Sequence, residues 1–292
     1  MQTKFAKVLI VGEPNAGKST LFNYLIGERI SIVTHKVQTT RNAIRGILNH
    51  GQTQLVFIDT PGIFKPRITN NLERSIVRNA TNALAEADIL CLLIDARKPL
   101  SKETHMIIEM LAAKKEQRPV IAILNKIDLL AKEKLISQAQ QLFELGIFKS
   151  IPMISARTGA GVEKLLVELR ELAPTGGWQY DEDELTDMPT RNICEDITRS
   201  ELFLHLHSEI PYSLTVETEE WLVNPNNTLN IKQVIYITKP SQKKIILGKG
   251  GGMIKLVGSK ARSRIAKFIG QKVNLYLYVK VKEDWQDAPV KD

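Results

Sequence analysis

The eight residues GEPNAGKS, 12–19, constrain this chain more than any other stretch. They follow the short apolar run KVLIVG, 7–12, which reads as a buried strand, and they open a helical pattern at Ser19–Ile26. A G-x-x-x-x-G-K-[ST] loop between strand and helix binds phosphate. Gly12 and Gly17 let backbone N–H groups converge on phosphate oxygens, and the helix N-terminus adds favourable partial charge. Lys18 can reach the terminal phosphates and Ser19 can ligate Mg²⁺. Glu13, Pro14, Asn15, Ala16 and Thr20 complete the loop.

Such a loop needs a parallel sheet behind it. Further apolar runs occur at Leu55–Asp59, Ile89–Asp95 and Val120–Leu124, with a weaker one at Ile151–Ile154. Helical patterns at Leu72–Ala85, Ser101–Ala113, Glu133–Leu145 and Val162–Leu172 lie between or after them. The alternation predicts an α/β domain with a mostly parallel sheet over residues 1–172. Residues 173–190, with two prolines, two glycines and five acidic side chains, read as an acidic linker. In residues 191–292 the order becomes α–β–β–α–α–β, which predicts a small α+β domain.

More chemistry sits at the strand ends. Asp59, Thr60, Pro61 and Gly62 close the second apolar run. Asp59 suits the Mg²⁺ shell and the Gly62 N–H a γ-phosphate, so loss of that phosphate would release the segment that follows. A threonine between the first helix and this run, Thr40 or else Thr39, could complete the metal shell. Asn125, Lys126 and Asp128 follow the run Val120–Leu124. An aspartate there accepts two N–H bonds from guanine, and adenine has no matching donor pair. Lys126 can lay its stem along the base, and the Ala156 N–H, after Ser155, can bond the guanine carbonyl. Together GEPNAGKS, TT, DTPG, NKID and SA make the first domain resemble the translation-factor-like GTPases, which implies GTP and GDP as ligands, Mg²⁺ and slow hydrolysis.

Ile63 stands where such proteins often carry a water-orienting glutamine. The resemblance narrows to the branch with an apolar residue there. Hydrolysis then rests on Lys18, Thr40, the Gly62 backbone and Mg²⁺. Asn15 either holds a K⁺ ion beside the phosphates or stabilises its loop. Arg41 and Arg45 are arginine-finger candidates by proximity alone, with a solvated surface role as the alternative.

The net charge of +8 is unevenly spread, and residues 239–282 hold twelve Lys or Arg and no carboxylate. Within that block Gly248, Lys249, Gly250 and Gly251 form G-x-x-G between two helical stretches, with Lys255 just beyond. Ile246, Leu247 and Ile254 are candidates for an apolar floor under bases. Loop and element order resemble a type II KH domain, which binds single-stranded nucleic acid. A GTPase domain followed by a KH domain, with EIPYSLTVETEEW at the KH entry, resembles the Era family over nearly the whole chain. The resemblance implies a GTP-hydrolysing switch that binds single-stranded 16S-type rRNA near its 3′ end in 30S subunit assembly. It further implies a cytoplasmic monomer with peripheral contact at the inner membrane face. Ile63 keeps open an alternative, an RNA-binding module with a nearly inert GTP-binding domain. Cys91 and Cys194, far apart in sequence, read as buried thiols in a reducing compartment.

Overall fold

The computed structural model describes residues 2–27, 44–59, 81–113, 118–206 and 214–282. Thr39, Thr40, Arg41, Thr60, Pro61, Gly62 and Ile63 lie outside the described residues, as does most of the helical pattern Leu72–Ala85. The described residues form two compact units, one reaching to Asp187 and one from Met188 onward.

In the first unit a six-stranded sheet has the order β2-β3-β1-β4-β5-β6. The strands are β1 Lys4–Val11, β2 Ile44–His50, β3 Thr53–Asp59, β4 Ile89–Asp95, β5 Val120–Asn125 and β6 Met153–Ile154. All pairings are parallel except β2 with β3. β3 and β5 are buried along their whole length, which is why their stretches Leu55–Ile58 and Val120–Leu124 are unbroken apolar runs. The helices are α1 Lys18–Ile26, α2 Lys102–Ala112, α3 Lys132–Glu144 and α4 Val162–Leu172. Leu9, Leu90, Leu92 and Ala122 of the sheet pack with Ile107 and Leu111 of α2 and Leu135 and Leu142 of α3. Because the five strands other than β2 run the same way, their C-terminal ends share one edge, where α/β sheets bind ligands.

Strand β2 has no clean apolar alternation, since IRGILNH places Arg45 and Gly46 inside it. Its glycine has a packing reason. A Cβ on Gly46 would lie 2.6 Å from Ile26 and 2.7 Å from Phe22 of α1. β2 is also an edge strand, and the acidic segment expected as a linker covers it. Ile47 N–H donates to the Leu185 carbonyl at 2.9 Å, Asn49 to Glu182 at 2.8 Å, and Arg45 pairs with Asp187 at 2.9 Å. Buried Gln54 accepts from the Gln179 and Tyr180 N–H groups at 2.9 and 3.1 Å. The segment satisfies an edge that would otherwise expose backbone groups.

The second unit has α5 Thr190–His205, β7 Leu214–Val223, β8 Leu229–Ile237, α6 Pro240–Leu247, α7 Gly252–Ile269 and β9 Val273–Val281. Its sheet runs β7-β8-β9, with β7 antiparallel and β9 parallel to β8. Leu202, Leu214, Ile235, Ile246 and Val257 form its core. α5 buries charge as well. Glu201 pairs with Arg264 of α7 at 2.7 Å, and Thr198 donates to Gln233 of β8 at 2.6 Å. Both cysteines are free and buried, and burial pushes each thiol pKa up, that of Cys194 to about 12.

Candidate nucleotide and nucleic-acid sites

The phosphate loop leaves β1 at Val11 and enters α1 at Lys18. Gly12 (φ 151) and Gly17 (φ 109) hold backbone shapes that L-residues rarely adopt. A Cβ on Gly17 would lie 2.3 Å from the Asn125 side-chain nitrogen. Lys18 Nζ donates to the carbonyls of Gly12 at 2.8 Å and Glu13 at 2.9 Å, so the ammonium sits inside the loop's arc. Burial lowers its pKa, against Asp59 and Glu13, which raise it. Ser19 Oγ donates to Asp59 at 2.9 Å, joining the first turn of α1 to the end of β3. Asp59 is fully buried. A hydroxyl and a carboxylate side by side are hard oxygen donors, the set Mg²⁺ prefers.

Glu13 plays a part its sequence position did not suggest. Its carboxylate accepts from the hydroxyls of Ser101 and Thr104, at the start of α2. The loop is therefore tethered from outside as well as from within. Pro14 and Asn15 are exposed, and Ala16 is buried. Thr20, half-buried, is the third residue of α1.

Asn125 draws three loops together. Its Nδ2 donates to the Ala16 carbonyl at 2.8 Å, and its Oδ1 accepts from the N–H groups of Lys126 at 2.8 Å and Ala156 at 2.9 Å. The side chain is almost fully buried, so these bonds are shielded from water. The Ala156 N–H, expected to meet a guanine carbonyl, thus donates to Asn125 here. Ser155 is buried, and its hydroxyl accepts from the Thr158 N–H at 3.2 Å, shaping the turn. Asp128 lies on a short 3₁₀ turn, Ile127–Leu129, with Arg157 at 3.6 Å.

Lys126 has φ 69 and Asn15 has φ 65, two of the three non-glycine residues with left-handed backbone among the described residues. Such conformations concentrate at functional sites. Lys126 Nζ bonds both the Asn15 carbonyl and Asp95 at the end of β4. Arg45 is held by Asp187 and Glu86, at 2.9 and 3.1 Å, which supports its surface reading over an arginine finger.

In the second unit the G-x-x-G loop is a left-handed break between α6 and α7. Gly248, Gly250 and Gly251 have φ of 70, 58 and 77. A Cβ on Gly248 would meet Met253 at 2.7 Å, whereas Gly250 and Gly251 face open space. Lys249 and Lys255 are exposed. Ile246 is fully buried in the core and offers no surface to a base, which removes it from the apolar floor expected from the sequence, while Leu247 and Ile254 are half-buried. Ile254 lines a groove of about 310 Å³ with Lys255, Gly258, Arg262, Leu275 and Leu277. Sequence reading missed the groove's other wall, in β9. One signal was present: Lys255, Gly258 and Arg262 recur at the spacing of a single helix face.

Residues 7–126 match the family model described as "50S ribosome-binding GTPase", and residues 209–286 match that of the KH domain. GTPase Era of Mesorhizobium japonicum (strain LMG 29417 / CECT 9101 / MAFF 303099) is 46% identical, over 97% of this chain and 90% of its own length. GTPase Era of Rhizobium meliloti (strain 1021) is 45% identical, over 98% of this chain and 90% of its own length. Among solved structures, Era in complex with MgGDPNP and nucleotides 1506–1542 of 16S ribosomal RNA superposes with a TM-score of 0.93 at 34% identity. That match covers 98% of this chain and 96% of the other. An Aquifex aeolicus Era variant bound to GDP·AlF₄⁻ gives the same TM-score and identity, covering 98% and 97%.

Proposed function

Since this chain belongs to the Era family of GTPases, we propose that it is a GTP-hydrolysing switch that binds small-subunit ribosomal RNA near its 3′ end during 30S assembly. The observation that carries the reading is the Asn125 knot, which holds the phosphate loop and both base-reading loops in one geometry. Gly12, Gly17, Lys18 and Ser19 take the phosphates, with Asp128, Lys126 and the 155–156 turn on the base. Ser19 and Asp59, with Thr40, are the residues that would hold Mg²⁺, which neutralises charge on the β- and γ-phosphates when bound.

Hydrolysis breaks the bond from the γ-phosphorus to the β–γ bridging oxygen as water attacks in line. Lys18, together with backbone donors that include Gly62, stabilises the charge that develops on the phosphate oxygens. Ile63 has no group to orient water, which turns attention to Asn15. Its exposed position on the loop suits a side-chain carbonyl ligand for K⁺ beside the phosphates. Single-turnover GTP hydrolysis is then expected to be faster in K⁺ than in Na⁺, and to lose that difference in Asn15→Ala. Equal rates in the two salts would remove the potassium role.

In the second unit the G-x-x-G loop and the groove beside it supply the RNA site. Lys249 meets the phosphodiester backbone, while Lys255 and Arg262 border an apolar wall from Leu275 and Leu277. A solved Era structure holds nucleotides 1506–1542 of 16S ribosomal RNA, which supports RNA as the ligand. Lys249→Glu is expected to weaken binding of single-stranded RNA by about tenfold or more at moderate salt, because one attraction becomes a repulsion. GTP affinity should stay as in the parent. RNA affinity unchanged in this variant would contradict the assignment. We further place the protein in the cytoplasm as a monomer, with any contact at the inner membrane face peripheral. Among the described residues no helix is long and apolar enough to cross a membrane.

A further inference from the structure

We propose that Asp95 is a positioning residue for base recognition, acting by holding the side chain of Lys126. The proposal rests on the reading of Lys126 as a base-contacting residue and deepens it. Lysine carries a flexible four-carbon stem, so a stem that must lie along a base gains from having its far end fixed. Here the end is fixed twice. Lys126 Nζ donates to the Asn15 carbonyl on the phosphate loop, and to Asp95 Oδ2 at 2.7 Å. Asp95 and Asn125 are register partners at the ends of β4 and β5, so carboxylate and lysine leave adjacent strand ends.

Asp95 is in turn gripped by Arg97. The guanidinium donates through Nε to Oδ1 at 2.9 Å and through Nη2 to Oδ2 at 2.7 Å, and the Arg97 N–H adds a bond to Oδ1 at 3.2 Å. A planar fork on a carboxylate fixes orientation as well as distance. The Asp95 side chain is only 10% exposed. That burial works to raise its pKa, yet the bonds from Arg97 and Lys126 hold it well below the usual carboxylate range. The carboxylate is therefore charged at neutral pH. Arg97 and Asp95 make a rigid post, and Lys126 is strung between that post and the phosphate loop. No motif marks Asp95, because Lys126, the side chain it holds, lies 31 residues further along the chain.

A double-mutant cycle on nucleotide dissociation tests this. Release of a fluorescent GDP is measured from the full chain, from Asp95→Asn, from Lys126→Met, which keeps the stem and removes the charge, and from the double variant. Asp95→Asn is expected to speed release about tenfold, the worth of one charged hydrogen bond. The double variant should release GDP no faster than Lys126→Met alone, since both changes cut the same link. A purely structural Asp95 would give independent, additive effects, and that result overturns the proposal, as does parental release from Asp95→Asn. Parental release from Lys126→Met would instead sink the base-site reading on which the proposal stands. Should Asp95→Asn fail to fold, Arg97→Ala supplies the same cycle. It loosens the grip while leaving both partners, and should speed release only where Lys126 is intact.

Discussion

Asn125→Ala is expected to weaken GTP and GDP binding by about a hundredfold or more and to destabilise the first unit by about 2–5 kcal/mol. The truncation leaves the Ala16 carbonyl and the N–H groups of Lys126 and Ala156 without the side chain that now bonds them. Ala16 and Ala156 are almost fully buried, so water is poorly placed to replace the lost bonds. Each orphaned buried group costs about 1–3 kcal/mol. The functional loss goes further, because phosphate loop and base-reading loops would then have to be ordered by the ligand itself. Thermal melting of the nucleotide-free protein and a GDP titration read the two effects separately. A variant that melts lower but binds GDP at parental strength would reduce Asn125 to a stability residue.

Much of this site was legible because its chemistry is local. Phosphate binding needs glycines, a lysine and a hydroxyl within eight residues, so GEPNAGKS announces itself. The helices α2, α3 and α4 fall within one residue of their expected bounds, since their apolar periodicity is strong. Strand β2 was illegible for the opposite reason. Gly46 is there to admit Phe22 and Ile26, a requirement set by a helix some twenty residues earlier. The turn signal at His50-Gly51 was its one local trace. Asn125 was visible as the head of a base-reading motif, but its bond to Ala16 crosses 109 residues. Glu13 was read by its place in the loop, whereas its carboxylate serves Ser101 and Thr104. In the second unit Ile246 looked like a surface residue beside a glycine loop. The helix α6 turns it into the core instead, while Leu275 and Leu277 of β9 face the groove.

The guanine reading hangs on Asp128. Guanine offers two neighbouring donors, N1–H and the 2-amino group, and a carboxylate accepts both. Xanthine carries a carbonyl in place of that amino group, so it suits an amide that both accepts and donates. Asp128→Asn should therefore lower GTP affinity by about a hundredfold or more and raise that for XTP, because mismatched buried polar groups are what such sites reject. Stability should change little, as the ion pair given up is with Arg157, whose side chain is 77% exposed. Competition between GTP and XTP for the parent and for Asp128→Asn is the most direct measurement. If Asp128 reads guanine, the parent prefers GTP and the variant XTP. A variant that keeps the parental preference for GTP would contradict that reading.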